Sequence, residues 1–123
     1  MKVFVVEDSP IVRDRLVAML WDIEEVEVVG EADNPDDALA EILRIHPDVV
    51  VLDIKLRGGS GVSVLYELKY HKPSIKTIML TNYATPEFRQ RCLSLGADYF
   101  FDKTCEFEKV KDVLQALGAS GPH

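Results

Sequence analysis

The chain has 123 residues, is 47% hydrophobic and carries a formal charge of −7, which suits one globular domain with a core of its own. That acidity argues against nucleic acid as a direct partner, because phosphate backbones call for a basic face; it favours metal cations or basic protein surfaces. No apolar run reaches the roughly 18 residues of a spanning helix, and the first strand is too short for a signal peptide. Cys92 and Cys105, the only two cysteines, make neither a CxxC pair nor a disulfide framework, so a soluble, cytoplasmic chain without membrane contact is expected.

Taken in order, strand and helix patterns alternate without a break. Residues 2–6 read as a buried strand, and Ser9-Pro10 then opens a helix, with Ser as cap and Pro at the first helical position. Val12, Leu16, Met19 and Ile23 keep helical spacing. A second strand covers about 26–32. Asn34-Pro35 repeats the cap signal for a helix burying Ala38, Leu39, Ile42 and Leu43, which His46-Pro47 stops.

The central strand spans 48–53. Residues 57–61, Arg-Gly-Gly-Ser-Gly, read as a flexible turn and hinge into a third helix marked by Val62, Leu65 and Leu68. A fourth strand covers 75–81, and Thr85-Pro86 caps a helix with Phe88, Cys92 and Leu95 inside, ended by Gly96. Tyr99 to Phe101 form a fifth strand; Phe107, Val110, Leu114 and Leu117 belong to the last helix. Trp21 and Tyr70, at helix ends, read as packing residues. The domain is expected to span 1–117, with 118–123 a flexible tail or linker remnant.

Five strand–helix units in one chain imply an α/β fold with a doubly wound, five-stranded parallel sheet covered on both faces. All strand C-termini then lie on one edge, where open sheets bind ligands. Three of the strands end in residues suited to phosphate chemistry: Glu7-Asp8, Asp53 and Thr81. Crowded carboxylates need a cation, and Mg²⁺ (or Mn²⁺) suits Glu7, Asp8 and Asp53, with the main-chain carbonyl of Lys55 as a further ligand. Asp53 is the candidate nucleophile, able to form an aspartyl phosphate. Thr81 would donate to a phosphoryl oxygen, and Lys103, after the fifth strand, would bring an ammonium to the same edge.

This pattern, Glu7-Asp8, Asp53, Thr81 and Lys103, with the aromatic Phe100 three positions before the lysine, resembles the receiver domain of two-component response regulators over residues 2–117. The resemblance implies a flavodoxin-like (βα)5 fold with strand order 2-1-3-4-5. It implies transfer of a phosphoryl group from a phosphohistidine of a sensor histidine kinase or phosphotransfer protein to Asp53, with Mg²⁺ bound. Thr81 and Phe100 would then rearrange and remodel the surface of the fourth helix, fifth strand and fifth helix for a downstream effector. A phosphorylation-dependent homodimer is an option the resemblance leaves open. Such a domain is a signalling phospho-acceptor, not a conventional enzyme, although it catalyses its own phosphorylation and slow dephosphorylation; no organic cofactor is implied.

The chain departs from the family pattern at four places. Arg57 stands where a proline usually lies, four positions after the acceptor, and Thr104 replaces the usual proline after the lysine. Asn82 occupies a position that is commonly small, and Tyr83 follows it. Tyr83 and Lys55 are expected to flank the route of the hydrolytic water, so the bulk of Asn82 and Tyr83 should slow dephosphorylation. A haloacid-dehalogenase-like phosphatase would need an acid where Lys55 stands. A flavodoxin-like carrier would need a phosphate-cradling first loop in place of Glu7-Asp8. The remaining alternative is a degenerate receiver serving as a phosphorylation-independent docking module.

Overall fold

A computed structural model gives the fold over residues 1–120. The elements run β1 (Lys2–Val6), α1 (Pro10–Trp21), β2 (Glu27–Ala32), α2 (Pro35–Ile45), β3 (Val49–Leu52), β4 (Lys55–Leu56), β5 (Gly59–Ser60), α3 (Gly61–His71), β6 (Lys76–Thr81), α4 (Pro86–Ser94), β7 (Tyr99–Asp102) and α5 (Lys109–Ser120). The main sheet has the order β2-β1-β3-β6-β7, with every neighbouring pair parallel. Leaving aside β4 and β5, which form a separate antiparallel hairpin, this is the expected 2-1-3-4-5.

Alternation along the strands splits the core into two layers. Phe4, Val50, Leu52 and Met79 pack with Ala38, Ile42, Leu65, Leu68 and Cys92 on the side of α2, α3 and α4. Val3, Val5, Val49, Val51, Ile78 and Leu80 pack with Leu16, Leu20, Val110 and Leu114 on the side of α1 and α5. Each Val, Leu, Ile, Phe or Met among them contributes about 1.5–3 kcal/mol on leaving water, which fixes the strand register and with it the level of every strand end.

The helix starts follow the cap signals. Ser9 Oγ accepts from Val12 N at 3.3 Å, Asn34 Oδ1 from Asp37 N at 3.0 Å and Thr85 Oγ1 from Phe88 N at 3.2 Å, each with proline next. α2 stops where His46 turns left-handed, at φ 56°.

Four expectations are corrected. Residues 57–61 are not a loose hinge: Lys55 and Leu56 pair with Ser60 and Gly59, making an ordered hairpin between β3 and α3. The presumed tail does not begin at 118, because α5 continues through Ser120. Gly118 is there for close approach, since a Cβ would sit 2.8 Å from Glu25 Cβ, and it does not end the helix. Residues 121–123 lie outside the described residues. Trp21 and Tyr70 are 64% and 74% exposed, so helix-end position did not make them packing residues. Ile23 lies just past α1, buried in the turn that follows.

Candidate functional site: an acid cluster bridged by lysine

Counting two residues at a time along the strands brings Glu7 (from Val3 and Val5), Asp53 (from Val49 and Val51) and Lys103 (from Tyr99 and Phe101) onto the parity facing α1 and α5. They meet beyond the strand ends. Lys103 Nζ donates to Glu7 Oε1 at 2.6 Å and to Asp53 Oδ2 at 2.7 Å, with Glu7 2% and Asp53 6% exposed. The remaining carboxylate oxygens are held by main chain: Ile54 N donates to Asp53 Oδ1 at 2.6 Å, and Ser9 N to Glu7 Oε2 at 3.0 Å.

Asp8 completes the group from the exposed side. Glu7, Asp8 and Asp53 each offer an oxygen within 4.8 Å of the others. Burial, above all, pushes the Glu7 carboxyl above its ordinary range against the pull of Lys103 and the Ser9 N–H, with the Asp53 charge adding to the rise. Burial works to lower Lys103, but its hydrogen bonds to Asp53 and Glu7 outweigh that and raise it. Three carboxylates against one ammonium leave two formal negative charges in a small volume. That donor set fits a hard divalent cation such as Mg²⁺ or Mn²⁺.

Thr81 ends β6 fully buried, level with Asp102 of β7. Its hydroxyl accepts from Tyr83 N at 3.0 Å, and its carbonyl accepts from Lys103 N at 2.9 Å. The first bond is a turn-forming one; the second ties the lysine's backbone to the end of β6. Lys55 begins β4, and its ammonium lies 5.8 Å from the centre of the Tyr83 ring, which in turn packs edge-on against Phe88. Phe100, beside Met79 in the register, is 3% exposed, with the Arg89 guanidinium 5.0 Å from its ring centre.

Sequence reasoning passed over four supports. Arg13 Nη1 donates to the Glu7 carbonyl at 3.0 Å. Arg57 Nη2 pairs with Asp33 Oδ1 at 2.9 Å. Gly61 lies against the Asp53 carbonyl, and Arg89 covers Phe100. None of these contacts could be read from residue spacing, although Arg57 was visible as a departure from the family pattern and Gly61 as part of the 57–61 turn.

A family model described as the response regulator receiver domain matches residues 3–115. The chain belongs to that family. Over 118 residues this receiver is 32% identical to the DNA-binding transcriptional activator DevR/DosR of Mycobacterium tuberculosis, covering 96% of this chain and 54% of that protein. It is 33% identical over 118 residues to the response regulator GacA of Pseudomonas aeruginosa, covering 96% and 55%; the receiver thus spans about half the length of these curated relatives. Among solved structures it is similar to the isolated receiver domain of RcsB from Salmonella enterica serovar Typhimurium with the phosphomimetic BeF3⁻. There the TM-score is 0.89 and the identity 26%, covering all of this chain and 91% of that one. A DNA-binding response regulator of the LuxR family from Staphylococcus aureus gives a TM-score of 0.87 at 25% identity, covering 95% and 98%. No helix among the described residues is long and apolar enough to cross a membrane.

Proposed function

We propose that this receiver accepts a phosphoryl group on Asp53 from the phosphohistidine of a sensor histidine kinase or phosphotransfer protein and uses it to control a downstream effector. The observation that carries this is the Lys103 ammonium, 2.6 Å from Glu7 and 2.7 Å from Asp53, beside a third carboxylate at the end of the central strands. Glu7, Asp8, Asp53 and the Lys55 carbonyl would hold Mg²⁺, which supplies neutralisation of phosphoryl charge that the acids alone would repel.

A carboxylate oxygen of Asp53 attacks phosphorus, the phosphorus–nitrogen bond breaks, and the imidazole leaves with its electron pair and is protonated. Lys103 holds the approaching group against its ammonium, and the Ile54 N–H keeps the carboxylate from rotating. Water later cleaves the acyl phosphate to return the carboxylate and release inorganic phosphate. Positioning and electrostatics supply nearly all of the catalysis.

Phosphorylation adds about one negative charge and several acceptor oxygens. Thr81 exchanges its bond with Tyr83 N for one to the phosphoryl group, and α4, β7 and α5 respond through Phe100. Moving an equilibrium from 1:99 to 99:1 takes about 5.5 kcal/mol; a few charge-assisted contacts at roughly 1.5–3 kcal/mol each supply it. One of the longer relatives is a DNA-binding transcriptional activator, and a domain of formal charge −7 is better suited to the switch than to DNA contact, which calls for a basic face. A small phosphodonor with Mg²⁺, followed by intact-mass measurement, tests the reading. One phosphoryl group should appear on the parent and be absent from Asp53→Asn and from a chelated sample. A parent that stays unmodified would leave only a docking module. Gel filtration of the same samples reports whether two phosphorylated copies pair.

A further inference from the structure

Arg57 interrupts the family pattern at a position with a definite geometric duty. The hairpin β4–β5 turns through Arg57 and Gly58, between the paired Leu56 and Gly59. Gly58 has φ +78°, and Arg57 is not among the residues with positive φ, which is the pattern of a turn whose first central position favours proline. A proline there holds the turn by fixing its own φ; arginine has no such constraint. In its place the structure shows a tertiary tether. Arg57 N donates to the Asp33 carbonyl at 3.1 Å, Arg57 Nη2 donates to Asp33 Oδ1 at 2.9 Å, and Gly59 lies against Pro35.

The far end of the tether is itself fixed. Asn34 Nδ2 donates to the same Asp33 oxygen at 2.7 Å, while Asn34 Oδ1 caps α2 through Asp37 N at 3.0 Å. The hydrogen bond from Arg57, chiefly, holds the Asp33 carboxyl below its ordinary range, and the same bond raises Arg57. The near end of the hairpin is Lys55, two residues past the acceptor. A main-chain carbonyl cannot be re-aimed by a rotamer change, so its usefulness as a ligand depends wholly on where the backbone is held.

We propose that Arg57, clamped to Asp33, is a positioning residue for the cation site: the tether replaces the missing proline and places the Lys55 carbonyl toward the acid cluster. This rests on the metal assignment proposed above. The effect should be moderate. Residues that orient metal ligands directly are worth 10–100-fold in affinity, but the Arg57 side chain is 70% exposed, and exposed pairs are weakened by solvent and salt.

The test is Mn²⁺ binding to the unphosphorylated chain, followed by the electron paramagnetic resonance of the free ion. Thermal melts of every variant serve as the control on folding. R57A and D33N should each raise the Mn²⁺ dissociation constant about three- to tenfold, R57K should lose less, and the exchanged pair R57D with D33R should recover most of the loss. The difference between parent and R57A should shrink as salt is added. With a small phosphodonor, R57A should need more Mg²⁺ to reach half-maximal rate yet attain the parent's rate at saturation. Amide exchange across 55–60 should quicken in R57A. Unchanged Mn²⁺ affinity in R57A and D33N, in a parent that binds the ion, would overturn the clamp alone; a parent that binds no Mn²⁺ would overturn the metal assignment beneath it.

Discussion

The Arg89 guanidinium sits 5.0 Å from the centre of the Phe100 ring and reaches on to Glu106 Oε1 at 3.7 Å. Glu106 Oε1 also accepts from Asp102 N at 3.0 Å. One side chain of α4 therefore covers the aromatic of β7 and leans on the segment before α5. The guanidinium thus favours the buried ring position over any that breaks this contact. Cation–π contacts of this kind contribute about 0.5–1 kcal/mol at partly exposed sites, which corresponds to about a two- to fivefold bias toward the inward ring. Arg89→Ala should release that bias. Amide exchange along β7 should quicken, and fluorine resonances of fluorophenylalanine-labelled protein should show a second Phe100 environment; a single unshifted resonance would refute the latch.

Among the described residues, Lys103 is the only cation bonded to two buried carboxylates, Glu7 and Asp53. Replacing it with methionine keeps most of the stem but leaves Glu7 and Asp53 facing each other unpaired. Losing one partner of a buried pair costs about 3–5 kcal/mol, and the low end applies at a site open to solvent beside Asp8. In chelator, Lys103→Met should therefore be destabilised by about 3 kcal/mol in urea unfolding, and added Mg²⁺ should return part of the loss. The same variant should phosphorylate poorly even at saturating Mg²⁺, because it lacks the ammonium proposed above to hold the incoming phosphoryl group.

Much of this was legible in the residues. Strands buried on both faces read as continuous apolar runs, and three Ser/Asn/Thr–Pro caps marked helix starts that the structure reproduces. With strand order given by the resemblance, the strand-end acids had to converge. Resolution failed where the deciding contact is tertiary. Gly58 and Gly59 read as slack because glycine signals turns without saying that Pro35 and Asp33 lie against this one. Gly118 read as the start of a tail because its neighbour Glu25 is remote in sequence. Trp21 and Tyr70 read as packed because hydrophobicity at a helix end does not reveal which way the helix faces. Thr81 forms a local turn with Tyr83 N, a role that its place at a strand end did not distinguish from one at the site.

Burial, foremost, raises Glu7 above its ordinary value, with the Asp53 charge adding to it. A folded chain that holds this proton more firmly than the unfolded one binds more protons from about pH 4.5 upward, so stability falls as pH climbs through that window. Asp33 and Asp102, lowered chiefly by hydrogen bonds from Arg57 and Thr104, act oppositely and at lower pH: their contribution is present above the unfolded value and is lost as pH falls through the folded one. Lys103 is raised, so its contribution stays intact until pH passes its unfolded value of 10.5. Urea unfolding from pH 4.5 to 7 should show a more negative slope in the parent than in Glu7→Gln. Because cation binding displaces the same proton, Mn²⁺ affinity should rise with pH across that window. A parent and Glu7→Gln with parallel stability curves would contradict the assignment.

Tyr83 lies over Lys55, 5.8 Å from ammonium to ring centre, and rests on Phe88. The resemblance to receivers implies that these two positions flank the route of water to an acyl phosphate on Asp53. The double replacement of Asn82 and Tyr83 by alanine should open that route and shorten the phosphorylated lifetime by at least about twofold, or roughly 0.4 kcal/mol of barrier. Phosphate release from purified phosphoprotein measures it directly. An unchanged lifetime would assign the slow step to the carboxylate's own bonds and not to access.

Gly61 and Gly58 give a paired test of how the acceptor is held. A Cβ at Gly61 would lie 1.7 Å from the Asp53 carbonyl oxygen and 2.8 Å from its carbon, and neither atom can yield without moving the acceptor's backbone. A Cβ at Gly58 would meet nothing within 4 Å, although φ +78° strains any side chain there. Gly58→Ala should therefore cost about 1 kcal/mol of stability and leave the rate of phosphorylation at saturating Mg²⁺ near that of the parent. Gly61→Ala should cost about 1–3 kcal/mol and lower that rate by far more than its stability loss explains. A displacement of the carbonyl carries the carboxylate out of line with Lys103, and small misplacements of reacting groups are expensive. Equal rates in the two variants would mean that the close approach of α3 to Asp53 is packing alone, with no part in aiming the nucleophile.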